Sequence, residues 1–211
     1  MASLVLREES VFVDIGANRG DYAAIASRYV DPKNMFLFEP IKKMAKALRT
    51  NFPKSTVVEK CCSNENKTTI FFQSNNDELS GLRKRELNSL PANSQYTSFD
   101  VETITLDSYF KKKCNIDLVK IDVEGAEILV LEGMSRILQK KRPIVFVEHG
   151  TNGPEYFGNS YLDFWRLSQK MNYGVMTVDG QPINSLATME ESFKNWPIWN
   201  YLLYPDERRP L

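Results

Sequence analysis

The sequence has no net charge to offer a partner: Lys and Arg together count 27, and so do Asp and Glu. No whole-molecule field draws it to nucleic acid or to an acidic membrane, although local basic patches stay open. Cysteine is scarce. Cys61, Cys62 and Cys114 are the only three, none at C-x-x-C spacing, and on a strand Cys61 and Cys62 point to opposite faces. Buried thiols in a reducing, cytoplasmic compartment are expected. No apolar run approaches the ~20 residues of a membrane span. The first ten residues carry acids and lack the basic region of a signal peptide. Repeats, linkers and low-complexity tracts are missing too. What remains, 211 residues with 42% hydrophobic and 26% charged, is the composition of one globular domain, large enough to bury roughly 70% of its surface without a disulfide or metal staple.

The organising stretch is residues 11–20, Val-Phe-Val-Asp-Ile-Gly-Ala-Asn-Arg-Gly. It reads as a buried parallel strand entering a tight loop, with a helix capped by Asp21 and running to Tyr29. Residues 35–38 form a second apolar run ending in Glu39-Pro40. Ile41, Met44, Ala45 and Leu48 follow at helical spacing, and residues 55–62 give a third strand. Strand–helix–strand–helix–strand predicts a parallel sheet with right-handed crossovers. Residues 68–73 add a β-rich hairpin arm. Residues 74–98, with Pro91, read as a long loop or lid. Strands are expected at 101–106, 117–123, 144–147, 174–178 and 200–204. Helices are expected at 107–113, 126–131, 134–138 and 161–171, and residues 151–160 read as a loop.

A glycine-bearing turn between strand and helix is where such a sheet places a ligand. A dinucleotide fingerprint needs G-x-G-x-x-G so that backbone can approach a pyrophosphate. Counting from Gly16, Asn18 and Asp21 stand where the second and third glycines belong, and Asp14 adds negative charge nearby. The turn suits a ligand without phosphate and with a cationic part, such as S-adenosylmethionine. Glu39, at the end of the second strand, is placed to accept from both ribose hydroxyls. A tight structural turn with an exposed acid is the plain alternative.

Val-Asp-Ile-Gly-Ala-Asn-Arg-Gly, Phe38-Glu39-Pro40, Thr105-Leu106-Asp107 and Val-Lys-Ile-Asp-Val-Glu-Gly-Ala-Glu at 119–127 resemble the FkbM family of S-adenosylmethionine-dependent methyltransferases over residues 11–150. The resemblance implies a Rossmann-like class I α/β fold with a mostly parallel seven-stranded sheet, an antiparallel last strand and helices on both faces. It implies cofactor at the carboxyl ends of the strands and O-methylation of a small-molecule or glycan hydroxyl. The cofactor set expected is Asp14, Gly16, Ala17, Asn18, Gly20, Glu39, Pro40, Cys62, Ser63 and Asp122.

Methyl transfer to a hydroxyl needs an aligned nucleophile and a group that takes its proton. Asp122 is the first choice, and a helix N-cap is its structural alternative. His149, the only histidine, suits a general base, and Glu148 orients it or binds the acceptor. Asp122, Glu124 and Glu148 together could hold Mg²⁺ or Ca²⁺, although no spacing compels it, so no metal is expected. Arg83, Lys84 and Arg85 read as a solvated face, a lid or an anion site. Trp165, Trp196 and Trp199 read as core, with Trp196-Pro197 near Tyr156-Phe157 open to an acceptor pocket. An NAD oxidoreductase, an RNA methyltransferase and a non-catalytic binding scaffold are the competing readings; a homo-oligomer is open under each of them.

Overall fold

The computed structural model describes residues 5–76, 79–85, 95–111, 115–150, 153–195 and 199–208. Pro91, Cys114, Trp196 and Pro197 lie outside them. In chain order the strands are β1 (Phe12–Ile15), β2 (Met35–Phe38), β3 (Thr56–Val58), β4 (Cys61–Cys62), β5 (Thr68–Ser74), β6 (Tyr96–Ile104), β7 (Leu118–Ile121), β8 (Ile144–Glu148), β9 (Tyr173–Thr177), β10 (Pro182–Ile183) and β11 (Asn200–Pro205). The helices are α1 (Asp21–Ala26), α2 (Lys42–Asn51), α3 (Leu106–Tyr109), α4 (Glu127–Gly133), α5 (Ser135–Lys140), α6 (Tyr161–Lys170) and α7 (Leu186–Asn195).

The main sheet runs β10-β9-β11-β8-β7-β1-β2-β3. β3, β2, β1, β7 and β8 are mutually parallel. β11, the last strand, inserts antiparallel between β8 and β9. All four residues of β1 and of β7 are buried, as befits parallel strands covered on both faces. On one face Ile128, Leu131, Ile137, Leu138, Phe164 and Phe193 from α4 to α7 join the strands in one cluster. On the other, Ala23, Ala26 and Leu48 from α1 and α2 do the same.

Several boundaries differ from expectation. Two-residue β10 makes the sheet eight-stranded rather than seven. Residues 55–62 do not form one strand: β3 stays on the main sheet, and the chain turns at Glu59-Lys60 so that β4 joins a second sheet of order β4-β6-β5. There β5 pairs antiparallel with β6 rather than with residues 55–62. β6 begins within the expected loop, at Tyr96. α7 was unforeseen. Its inward side is set by Met189 and Phe193, four residues apart and both buried, the spacing that places two side chains on one helical face. A short 3₁₀ turn, Pro154–Phe157, interrupts the expected loop at 151–160. Gly20, not Asp21, is the N-cap of α1.

Candidate functional site

At the carboxyl ends of β1 and β2 the chain leaves a crevice lined by Gly16, Asn18, Glu39, Pro40, Cys62 and Asp122, with Phe71 and Leu82 on the side of the small sheet. Gly16 has φ +74°, and a Cβ there would lie 1.9 Å from the Asp122 carbonyl oxygen. No other residue fits this turn. Its amide and that of Ala17 both donate to the Phe38 carbonyl at 3.0 Å, tying the loop to β2. Glu39 closes the arrangement. It is buried, and its Oε2 accepts from the Asn18 amide at 2.9 Å while Oε1 accepts from the Ile41 amide at 2.8 Å. Each oxygen keeps a second lone pair. The Asn18 side-chain oxygen is buried with no hydrogen-bond partner among the described residues, a polar atom on the crevice wall that a ligand donor would satisfy.

Asp122 sits between the crevice and a second, adjoining hollow and lines both. It is not a helix cap: α4 begins at Glu127 with Ala126 in the cap position, and the carboxylate instead lies 3.5 Å from the Lys120 ammonium at the edge of the site. The loop from 122 to 126 is shaped by Glu127, whose Oε1 accepts from the Gly125 amide at 2.9 Å and the Val123 amide at 3.3 Å. Gly125 has φ +107°, and a Cβ there would lie 2.4 Å from the Gly153 carbonyl oxygen.

Lys120 was not singled out by sequence. It is 3% exposed on β7, directly across from the fully buried Asp14 on β1. Its ammonium lies 3.3 Å from Asp14 and 3.5 Å from Asp122, and donates to the Gly16 carbonyl at 2.7 Å. Burial opposes its charge, but Asp14 and Asp122 more than offset that and hold it above the ordinary lysine range. Asp14, expected to touch cofactor, therefore lies beneath the loop as the counter-ion of Lys120. In the sequence it stands within the 119–127 motif and as a lysine inside an otherwise apolar buried strand, and neither signal names its role.

The second hollow is lined by Asp122, Glu124, Glu127, Glu148, Arg85 and Trp199. Arg85 is ion-paired to Glu124. His149 is 1% exposed and stacked on Phe164 with ring centroids 4.7 Å apart. Its Nδ1 faces Glu127 at 3.7 Å and its Nε2 the Ser160 carbonyl at 3.4 Å. It lines neither hollow, so the geometry does not present it to an acceptor as a base. Glu148 does line the second hollow. Ala17, Gly20 and Ser63 lie off the crevice lining, and Ser63 instead bonds the Ile104 carbonyl through its amide at 3.0 Å. Arg83 lies over Phe157, 5.8 Å from its centroid, and Lys84 over Tyr96 at 5.7 Å. Among the described residues no group of three His, Cys, Asp or Glu side chains converges to hold a metal ion. Burial pushes the Cys61 and Cys62 thiols up, keeping them neutral.

The acids at the strand ends are crowded. Burial, then the neighbouring Asp122 charge, raises Glu124 to about 8 and Glu148 to about 7. Burial raises Glu39 to about 7 against the pull of its two backbone donors. Raised folded-state values mean that above pH 4.5, the ordinary glutamate value, the folded chain keeps protons that the unfolded chain has released. The contribution of these groups to stability is therefore complete below about pH 4.5 and falls as pH rises through 7 and 8. Thermal melts of the apo-protein should show Tm falling from about pH 4.5 to about pH 8 and levelling off above that, with a shallower fall in Glu124→Gln. An unchanged slope in that variant would remove Glu124 from the account.

Parallel strands β3, β2, β1, β7 and β8, an antiparallel strand inserted before the sheet's far edge, and a crevice at the ends of the first two strands define the class I methyltransferase fold. Residues 14–175 match the family model described as the methyltransferase FkbM domain, and the chain belongs to that family. It is 30% identical over 164 residues to the 2-O-methyltransferase NoeI of Sinorhizobium fredii strain NGR234, covering 71% of this chain and 67% of that protein. The crystal structure of an FkbM methyltransferase from Methylobacillus flagellatus superposes with a TM-score of 0.55 at 14% identity, over 94% of this chain. This chain spans only 44% of that one's length. A methyltransferase-fold structure from Streptococcus mutans, in complex with SAH, superposes with a TM-score of 0.52 at 11% identity, covering 96% of this chain and 94% of that one. No helix among the described residues is long and apolar enough to cross a membrane.

Proposed function

We propose that this protein is an S-adenosylmethionine-dependent O-methyltransferase that acts on a hydroxyl of a small molecule or glycan. The observation that carries the reading is the Glu39 carboxylate, buried in the crevice opposite Gly16 and held by two backbone amides. It is an acceptor for a vicinal diol, fixed before any ligand arrives. The fit extends along the crevice. Gly16 lets the turn close directly against the Asp122 backbone, Asn18 offers an unsatisfied oxygen, Cys62 and Phe71 supply apolar wall, and Asp122 supplies a carboxylate. Asn18 and Asp21 in place of glycines disfavour a pyrophosphate. When bound, the cofactor supplies a methyl group made electrophilic by its sulfonium. Asp122 lies where the crevice meets the second hollow, and its role is to orient the acceptor hydroxyl and take its proton. The relationship to NoeI, a 2-O-methyltransferase, supports oxygen as the methylated atom.

The test is transfer itself. Incubation with methyl-labelled cofactor and fractionated cell extract should label a low-molecular-mass or glycan fraction, and the label should survive mild alkali, which cleaves methyl esters but not ethers. Label confined to RNA or protein, or no transfer to any fraction, would overturn the acceptor class.

A further inference from the structure

We infer that Lys120 is a positioning residue for methyl transfer: its buried ammonium ties the Gly16 turn to the Asp122 carboxylate and so sets the spacing between methyl donor and base. This rests on the reading above, in which the crevice takes the donor and Asp122 takes the proton. The strand register makes the link. Lys120 stands across from Asp14, and the ladder runs one step past both strands, where the Asp122 amide donates to the Ile15 carbonyl at 3.1 Å. Gly16 and Asp122 therefore come side by side, two residues beyond Asp14 and Lys120 and on the same face. A lysine is long enough to reach up that step.

The contacts show where the ammonium is aimed. A lysine serving Asp14 alone would be hydrogen-bonded to it. Neither Asp14 oxygen has a hydrogen-bond partner among the described residues, and the ammonium, 3.3 Å away, balances it by charge. Its shortest contact is the Gly16 carbonyl at 2.7 Å, followed by the Ile15 carbonyl at 3.4 Å and Asp122 at 3.5 Å. Four acceptors thus surround three N–H groups. The ammonium cannot shift toward one without loosening its hold on another, so the turn and the carboxylate are kept at a set distance. Among the described residues it is the only cation within ion-pair distance of Asp122, which Glu124 and Glu148 repel from the other side. The ring of Tyr22 on α1 lies over the ammonium, 5.0 Å to its centroid, and shields these charges from water and salt.

The experiment compares Asp14→Asn with the double variant Asp14→Asn/Lys120→Met. Transfer is read, at saturating methyl-labelled S-adenosylmethionine, into the extract fraction that wild-type protein labels, and adenosylhomocysteine affinity is read by calorimetry. The double variant should transfer about tenfold or more slowly than Asp14→Asn, while the two bind adenosylhomocysteine within about threefold of each other. Asp14→Asn/Lys120→Gln, which keeps a donor for the Gly16 carbonyl but no charge for Asp122, should show the same split, and it decides if the methionine variant does not fold. A lysine present only to balance Asp14 predicts the opposite order, because the double variant is the one with no buried charge left over. Equal or faster transfer by the double variants would therefore overturn the inference. So would an affinity loss as large as the rate loss, which would confine Lys120 to the donor turn. Asp122→Asn separates the two levels. Wild-type transfer in that variant would sink Asp122 as the base, whereas slowed transfer there beside unimpaired double variants would sink the role of Lys120 alone. Failure of wild-type protein to bind adenosylhomocysteine would sink the methyl-donor reading beneath both.

Discussion

Glu39→Ala is expected to weaken S-adenosylhomocysteine binding by about 100-fold or more, close to 3 kcal/mol, measured by isothermal titration. Two charge-assisted hydrogen bonds to a diol would be lost at once. The Asn18 and Ile41 amides would also lose the acceptor that holds them, so the crevice would loosen as well as lose a contact. Glu39→Gln should fall nearly as far. Its amide nitrogen must face one of two backbone N–H groups, and a donor set against a donor cannot replace a carboxylate. Near-wild-type affinity in both variants, with melting temperatures preserved, would mean that the ligand does not use this carboxylate. Gly16→Val makes a steric companion, because its Cβ cannot share space with the Asp122 carbonyl.

The largest stability effect should come from Lys120→Met. It strands Asp14, which is 0% exposed, without its countercharge. Removing one member of a buried pair typically costs about 3–5 kcal/mol, more than the pair itself is worth. The Gly16 carbonyl loses its donor too, so the cofactor loop is disturbed from beneath. Urea denaturation of Lys120→Met, Asp14→Asn and the double variant gives the cycle. The double variant should be more stable than the sum of the singles predicts, with a coupling of about 1–3 kcal/mol. Additivity would show that the two charges do not depend on each other.

What could be read in advance follows from how local each feature is. The run from Val11 to the loop at Gly20 announces β1 and its turn through a continuous apolar stretch followed by glycines. Glu39 could be placed because it directly follows the apolar run of β2. The Asp14–Lys120 pair could not be read. Its members are 106 residues apart in sequence, and only the parallel register of β1 and β7 sets them side by side. Residues 55–62 look like one strand because nothing local signals that Glu59-Lys60 hands the chain to another sheet. The first half of β6 is half exposed, so its alternation lacks an apolar face to advertise it. His149 follows a buried strand into a loop, which resembles a catalytic position, yet Phe164 from a distant helix covers it. Trp199 read as core because a tryptophan usually is, and here it forms a wall of the second hollow.

The handover at Glu59-Lys60 has a further effect. Gly16 and Glu39 belong to the large sheet, whereas Cys62 and Phe71 belong to β4 and β5 of the small one. Any molecule filling the crevice is thus mortar between two separately hydrogen-bonded slabs. Its arrival should register as slower amide exchange along β5 and β6, well away from the atoms that react, and its departure should let the smaller slab breathe.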